Sequence, residues 1–271
     1  MLVTVDTGGT KTLIAQFGQD GVIGETIKFS TPSTQEAYVT LLRKTLQEQY
    51  VDKQVEAIVV ALPGIVKDGV ALWCNNLGWK DFDAHSALSG VLEKTPVLIE
   101  NDANLAGLAE TRILDPMPLS SLYVTISTGI GTGIITNGHI DPGLRYSEGG
   151  RTIIEFDGKM REWESFASGK AIYTTYGEYA RDIKDDGVWR EIADRISRGF
   201  LAIVPTLQPN TIIIGGSIGT YFDHYGAQLE DILREKLPSH IPCPHFQQAK
   251  HPEQAVVYGC YYYALDYFTS D

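Results

Sequence analysis

Cysteine is scarce in this chain: Cys74, Cys243 and Cys260 are the only ones in 271 residues, and no two have the spacing of a metal-ligand pair. That distribution argues against a thiolate zinc site and against a disulfide framework, so a reducing cytoplasm is the expected location. Positive charge is short too, with 22 Lys and Arg against 34 Asp and Glu and a formal net charge of −12. Nucleic acid and anionic membrane both demand clustered basic side chains, so neither is expected as a partner. Long apolar runs are missing, and nothing approaches the roughly 18 residues of a membrane span. The chain opens directly on a strand pattern without a basic leader and apolar stretch, so no secretory signal is read. Neither a Walker A element nor a dinucleotide fingerprint is present. The six histidines are scattered, and His240, His245 and His251 fall in a proline-containing stretch expected to be a surface loop.

What is present is an ordinary folded composition, 43% hydrophobic and 21% charged, in a chain long enough for two modest domains. Two glycine-rich loops stand out: Asp6-Thr7-Gly8-Gly9-Thr10-Lys11-Thr12 and Ser127-Thr128-Gly129-Ile130-Gly131-Thr132-Gly133. Each lies between β-branched or apolar runs, 2–5 and 13–17 in one case, 122–126 and 134–135 in the other. A strand that turns on glycines and hydroxyls aims several backbone N–H groups at one spot with no Cβ in the way. Two such turns read as a clamp for a polyphosphate. The acidic balance does not conflict with this, because N–H groups, a metal and a local cation such as Lys11 can hold the phosphates.

Runs at 2–5, 12–17 and 22–29 predict a three-stranded antiparallel meander. Ser33-Thr34-Gln35-Glu36 has the form of a capping box. It opens a helix whose Tyr38, Leu41, Leu42, Leu46 and Tyr50 share a face. A buried strand at 55–61 breaks at Pro63-Gly64. Another at 97–99 runs into Glu100-Asn101-Asp102-Ala103-Asn104, and the next helix carries Leu105, Leu108 and Ala109. The second half repeats the theme. Strands at 122–127 and 131–136 precede Asn137-Gly138, a type I′ hairpin signal. Then follow a helix-rich stretch over 162–207, a buried strand at 212–214 leading into Gly215-Gly216-Ser217, and helices over 225–236 and 255–268. A strand–turn–strand unit followed by helices thus occurs twice, the pattern of two like α/β domains.

Taken in order, the DTGGTKT loop, Ala61-Leu62-Pro63-Gly64-Ile65-Val66, Asn75-Asn76-Leu77-Gly78-Trp79, the block at 100–104, the STGIGTG loop and the end of the 212–217 segment resemble the ROK family of sugar kinases. That family belongs to the actin/hexokinase/Hsp70-like ATPase superfamily. The resemblance implies an α/β fold of two actin-like, ribonuclease H-like domains with a cleft between them. The first would span 1–105 and be completed by the helix at 255–271; the second would span 106–254. It also implies a homodimer. Asp6 and Gly8, Gly9, Thr10 and Lys11 would face the phosphates of ATP, Asp6 holding Mg²⁺ through water. Thr128, Gly129 and Gly131 would wrap the phosphates from the other domain, and Gly215, Gly216 and Ser217 would border the adenosine. Asp102 would be the catalytic base, with Gly64, Asn76 and Asn101 near the sugar hydroxyls and Glu148 and Glu164 gripping others.

The chemistry agrees with the residue types. A sugar hydroxyl becomes a useful nucleophile once a carboxylate can take its proton. Transfer of the γ-phosphoryl group otherwise needs alignment and charge stabilisation. Each of these side chains also has a plain alternative. Asp102 could be a helix N-cap, Glu148 a solvated loop charge, Glu164 a surface helix residue, and the tyrosines Tyr258, Tyr261, Tyr262, Tyr263 and Tyr267 simple core packing. In the register Asn75-Asn76, either residue could be the one at the sugar.

One region departs from the family pattern. Typical members carry Gly-His after the glutamate of the sugar loop and then a cysteine cluster that binds zinc. Here Arg151 stands where the His would be, and Asp157-Gly158-Lys159-Met160-Arg161-Glu162-Trp163-Glu164 replaces the cysteine segment. The expectation is a member without that zinc, packed instead through Trp163 and Phe166. Arg151 could contact a hydroxyl, a carboxylate or a phosphate of the ligand, or could pair with Glu148 or Glu155. The resulting expectation is an ATP-dependent hexose kinase acting on glucose O6. Fructose, an N-acetylhexosamine or mannose are the alternative acceptors. A catalytically silent sugar-binding protein and a sugar-responsive regulator are the rival classes.

Overall fold

The computed structural model describes residues 1–251 and 254–269, with Asn75 described by its backbone alone. Ser270 and Asp271, at the end of the expected last helix, and Glu253, near the end of the expected second domain, lie outside the described residues. The chain divides into two compact units, Met1–Ala109 with Gln254–Asp271, and Glu110–Glu253.

In the first unit β1 (Leu2–Thr7), β2 (Lys11–Phe17) and β3 (Ile23–Ser30) form the antiparallel meander. Helix α1 (Gln35–Tyr50) follows, burying Tyr38, Leu42, Leu46 and Tyr50 at four-residue intervals, while Leu41 is only half-buried. Its N-cap is Thr34, whose side chain accepts from Ala37 N, one residue beyond the Ser33 that the sequence pattern favours. Strand β4 (Ala57–Leu62) is buried at every position, as a central parallel strand with both faces covered must be. A small sheet of β5 (Ile65–Lys67), β6 (Val70–Cys74) and β7 (Trp79–Asp83) comes next. Trp79 and Phe82 pack with Tyr38 of α1 into an aromatic cluster. Helix α2 (Ala84–Leu88), β8 (Val97–Asn101) and α3 (Asp102–Arg112) complete this stretch. The main sheet has the order β3-β2-β1-β4-β8, with β1, β4 and β8 parallel.

The second unit repeats that order. Strands β9 (Ser120–Ile126), β10 (Ile130–Thr136) and β11 (His139–Ile140) form an antiparallel meander. Asn137 and Gly138 supply the two positive φ angles (54° and 74°) of the type I′ turn. Strands β12 (Ile153–Phe156) and β13 (Lys159–Glu162) make a separate hairpin over a second such turn, Asp157-Gly158, in the segment expected to replace the cysteines. Helices α4 (Glu164–Ala167), α5 (Gly169–Tyr176) and α6 (Asp186–Leu207) follow. Strand β14 (Thr211–Gly215) leads into α7 (Gly216–Gly219) and α8 (Phe222–Lys236), the latter starting before the expected residue 225. Strand β15 (His245–Gln248) pairs parallel to β14, so His245 opens a strand where a surface loop was expected. The sheet order is β11-β10-β9-β14-β15. The final helix α9 (Ala255–Thr269) packs in the first unit, where Tyr258 and Tyr261 meet Phe17 and Cys260 is buried. Among the described residues no helix is long and apolar enough to cross a membrane.

The core of the second unit runs through the hairpin region. Trp163 is fully buried and meets Phe200 edge-on at 5.2 Å, while Phe156 stacks on Phe166 at 4.2 Å. Gly199 on α6 lets the indole lie flat against the helix, since a Cβ there would run into its ring. Removing that indole leaves a large cavity in a packed site. Trp163→Ala is expected to cost about 3–5 kcal/mol in chemical denaturation, with a loss under about 1 kcal/mol contradicting this packing.

Candidate active site

In the first unit the candidate residues gather at the carboxyl ends of parallel strands, where open α/β sheets place their ligands. Asp6 on β1 lies level with Ala61 on β4, and Ala61 lies level with Glu100 on β8, so Asp102 is two residues past that line. Gly8, Gly9, Thr10 and Lys11 form the turn into β2. Gly8 N donates to Lys11 O, Thr31 N donates to Thr10 O, and the Thr31 hydroxyl donates to Gly8 O at 2.8 Å. Gly9 and Thr10 are exposed, and their N–H groups have no partner among the described residues. Asn76 sits beside this turn, 3.4 Å from where a Gly9 Cβ would be.

Beneath the turn the environment is dry. Thr7 and Tyr38 share a 2.7 Å hydrogen bond, and burial raises the Tyr38 phenol, with the Asp6 charge adding to the effect. Burial alone pushes the Asp6 carboxyl up to about 6. Cys74, fully buried, is pushed up to about 12 by burial and by the carboxylate of Asp102. The Asp6 and Asp102 charges thus act on the same buried patch, Asp6 on Tyr38 and Asp102 on Cys74.

Asp102 is the first residue of α3 and its Oδ1 accepts from Ala103 N. The capping of α3 falls to Asn101, whose Oδ1 accepts from Asn104 N at 2.9 Å. The Asn101 amide then donates to Gly64 O at 2.7 Å. Gly64 has φ +82°, and a Cβ on it would run into the Trp73 carbonyl, so no other residue fits this joint between β4 and β6. Gly64 and Asn101 thereby fix the bend that carries Asp102. Glu100, buried behind, accepts from Asn101 N and from the Asn104 amide.

In the second unit the 127–130 turn is the counterpart of the first. Ser127 N donates to Gly129 O, Gly169 N to Ser127 O, and Ile130 N to Glu164 Oε2. The N–H groups of Thr128 and Gly129 have no partner among the described residues. Gly131, two residues on, lies in β10 opposite Thr125. A cavity of about 910 Å³ opens beside the turn, lined by Thr128, Gly216 and Ser217 together with Lys170, Tyr173, Tyr179, Arg181 and Tyr221. Gly215 ends β14 just below, buried against the Tyr123 hydroxyl. Tyr173 and Tyr179 stack at 4.5 Å, and the Arg181 guanidinium lies 4.8 Å over the Tyr179 ring. Sequence reasoning missed these tyrosines and cations. Of these only Tyr173 carried a local signal, standing with Tyr176 between the Ser168-Gly169 helix start and Gly177.

Glu148, half-buried, is raised by burial, with Arg151 opposing and Glu164 reinforcing the shift. Arg151 pairs with Glu162 at 2.5 Å and with Glu164 at 3.4 Å. Glu155, one of the partners expected for it, instead accepts from Gly158 N in the hairpin turn. Among the described residues, no three His, Cys, Asp or Glu side chains form a metal-binding group, and Cys74, Cys243 and Cys260 are free thiols.

The sequence model of the ROK family matches residues 2–266. An N-acetylmannosamine kinase of Escherichia coli is 29% identical over 263 residues, covering 86% of this chain and 88% of its own. A fructokinase of Pediococcus pentosaceus is 26% identical over 261 residues, covering 89% and 86%. Among solved structures, a ROK family glucokinase from Streptomyces griseus in complex with glucose and AMPPNP superposes with a TM-score of 0.79 at 23% identity, covering 96% of this chain and 97% of its own.

The raised Asp6 carboxyl has a measurable consequence. Between the ordinary carboxylate value of 3.8 and about 6 the folded chain holds a proton that the unfolded chain has lost. Stability from this group therefore falls as pH rises through that window, and the ionised carboxyl is a burden above it. Asp6→Asn removes the burden. Urea unfolding should show the variant more stable at pH 8 by about 3 kcal/mol, with the difference shrinking progressively between pH 6 and pH 4. A difference independent of pH would contradict the desolvated carboxyl.

Proposed function

The chain belongs to the ROK family, and on that premise we propose that it is an ATP-dependent hexose kinase with Asp102 as the general base. The observation that carries this reading is the pair of turns at Gly9-Thr10 and Thr128-Gly129, each with adjacent N–H groups that have no partner among the described residues, the second beside a tyrosine-lined cavity. Such donors are preorganised for phosphate oxygens and need no rearrangement when charge shifts during transfer. The cavity bounded by Gly216 and Ser217 has the size and tyrosine lining for an adenosine. The relatives are a fructokinase and an N-acetylmannosamine kinase, and the similar fold binds glucose and AMPPNP. The three names specify three different sugars, so together they support a hexose acceptor and leave its identity to the experiment.

Asp102 takes the proton from the acceptor hydroxyl as the hydroxyl oxygen attacks the γ-phosphorus; the bond from that phosphorus to the β–γ bridging oxygen breaks and ADP leaves. Gly64 and Asn101 hold the bend that aims Asp102, and Asn76 and Glu148 offer polar atoms to the remaining hydroxyls. The residues fit a divalent cation, because Asp6 is a desolvated carboxyl whose burial no donor offsets. Mg²⁺ held there through water would supply charge neutralisation at the phosphates. We assign glucose O6 as the first acceptor to test, followed by fructose, N-acetylmannosamine and mannose, and a cytoplasmic homodimer as the working form.

The experiment is ADP release with that sugar panel and Mg-ATP, with polyphosphate as a second donor. Turnover of at least one hexose is expected, and none with any sugar would refute the reading. Asp102→Asn should lower kcat by about 10³-fold while calorimetry shows sugar affinity unchanged. Full activity in that variant would remove Asp102 from its role.

A further inference from the structure

The cavity beside the 127–130 turn lies wholly within the second unit, and its lining is unusual in what it can offer a base. Rings come from Tyr173, Tyr179 and Tyr221, and cations from Lys170 and Arg181. Tyr173 and Tyr179 are 43% and 53% exposed, so ring surface remains open to a ligand. None of the described residues that line the cavity is Asp, Glu, Asn or Gln. Its serine, threonine and tyrosine hydroxyls donate or accept as the partner requires. Backbone carbonyls around it are engaged already. Tyr173 O accepts from Gly177 N, Tyr179 O from Asp182 N and Ala180 O from Ile183 N. On the α7 side, Gly216 O accepts from Thr220 N, Ile218 O from Tyr221 N and Tyr221 O from His224 N. The Gln248 amide, from β15, donates to Thr220 O at 3.1 Å.

Adenine and the 6-oxopurines differ along one edge. Adenine carries an amino donor at position 6 and an acceptor at N1, whereas hypoxanthine and guanine carry a carbonyl acceptor at position 6 and a donor at N1. A site that selects adenine strongly holds a fixed acceptor against the amino group. This cavity instead combines ring faces, rotatable hydroxyls and two cations. The cations bring donors alone, which suit N7 of every purine and do not penalise a carbonyl at position 6. We propose that the nucleoside site holds the purine by its faces, on Tyr173 and Tyr179, and does not read its edge, so that ITP and GTP serve as phosphoryl donors alongside ATP. The inference rests on the reading above of this cavity as the nucleoside site. The step itself is unchanged. The bond from the γ-phosphorus to the β–γ bridging oxygen breaks, the sugar oxygen takes its place, Asp102 receives the hydroxyl proton, and IDP or GDP leaves.

The test uses the full chain with a hexose of the panel that turns over. Values of kcat/KM are measured with Mg-ATP, Mg-ITP and Mg-GTP, ITP isolating the change at positions 1 and 6 from the 2-amino group of GTP. The three should lie within about thirtyfold of one another, whereas a site built on the adenine edge would reject the other two by about 10⁴-fold. A spread wider than thirtyfold in either direction would overturn the proposal. Calorimetry with AMPPNP and GMPPNP, on the parent and on Tyr179→Ala, ties the breadth to this cavity. Tyr179 is 53% exposed, so its truncation leaves the core intact. The variant should lose about tenfold in affinity for both nucleotides alike. A loss confined to one of them, or no loss at all, would contradict the assignment. A parent that binds both within the same thirtyfold and phosphorylates no sugar would sink the kinase reading and leave the edge-blind cavity standing. Binding of AMPPNP alone would remove that cavity from the account whatever the turnover, and binding of neither nucleotide would overturn both readings.

Discussion

A strand that must turn without satisfying its own amides is the constraint on which this protein depends. At Gly9-Thr10 and at Thr128-Gly129 the sheet ladders end on both sides, and the N–H groups between them have no partner among the described residues. A free donor at a surface turn is bound by water, which costs little. Its value comes from being held still. The Thr31 hydroxyl fastens Gly8 in one turn, and Glu164 and Gly169 fasten both ends of the other. An anion arriving there replaces water on donors that are already aimed, so little of its binding energy is spent on ordering the chain.

The rest of each unit serves to keep such a turn rigid. Both main sheets have the same plan, an antiparallel meander continued by parallel strands, and each glycine turn joins the first two strands of its meander. Strands β1 and β4 are nearly or wholly buried, so the end of the sheet that bears Asp6 and Asp102 cannot slip. The Asp6 carboxyl at that end costs stability when ionised, as its burial-raised pKa shows. In the second unit the hairpin of β12 and β13 brings Glu162 to Arg151, and so couples a surface ribbon to the turn.

Much of this was legible in the residues, and the exceptions share a cause. The meanders, the four-residue spacing of α1 and the Asn137-Gly138 turn are written in local pattern, and local pattern is what a sequence displays. The role of Asn101 was not, because its amide bonds to Gly64, 37 positions away. Glu162 was not foreseen as a partner of Arg151 for the same reason: sequence proximity favours Glu155 and Glu148, of which Glu148 does act on Arg151, whereas the pairing of β12 with β13 sets Ile153 opposite Glu162 and carries Glu162 back toward Arg151. Strand β15 hides among prolines and polar residues, since an edge strand needs only one buried face. The helix cap lies at Thr34, whose hydroxyl accepts from Ala37 N, although only Ser33 has the glutamate three residues on that a capping box requires. The tyrosine-lined cavity is assembled from α5, the loop after it and α7, a juxtaposition no single window contains.

The central claim is that the unpartnered amides of these two turns are phosphate ligands. Amide-resolved NMR of the isotopically labelled full chain, titrated with AMPPNP and Mg²⁺, tests it most directly. The N–H resonances of Gly9, Thr10, Thr128 and Gly129 should move downfield together along one saturation curve. Four amides that stay where they are while AMPPNP binds elsewhere would contradict the account.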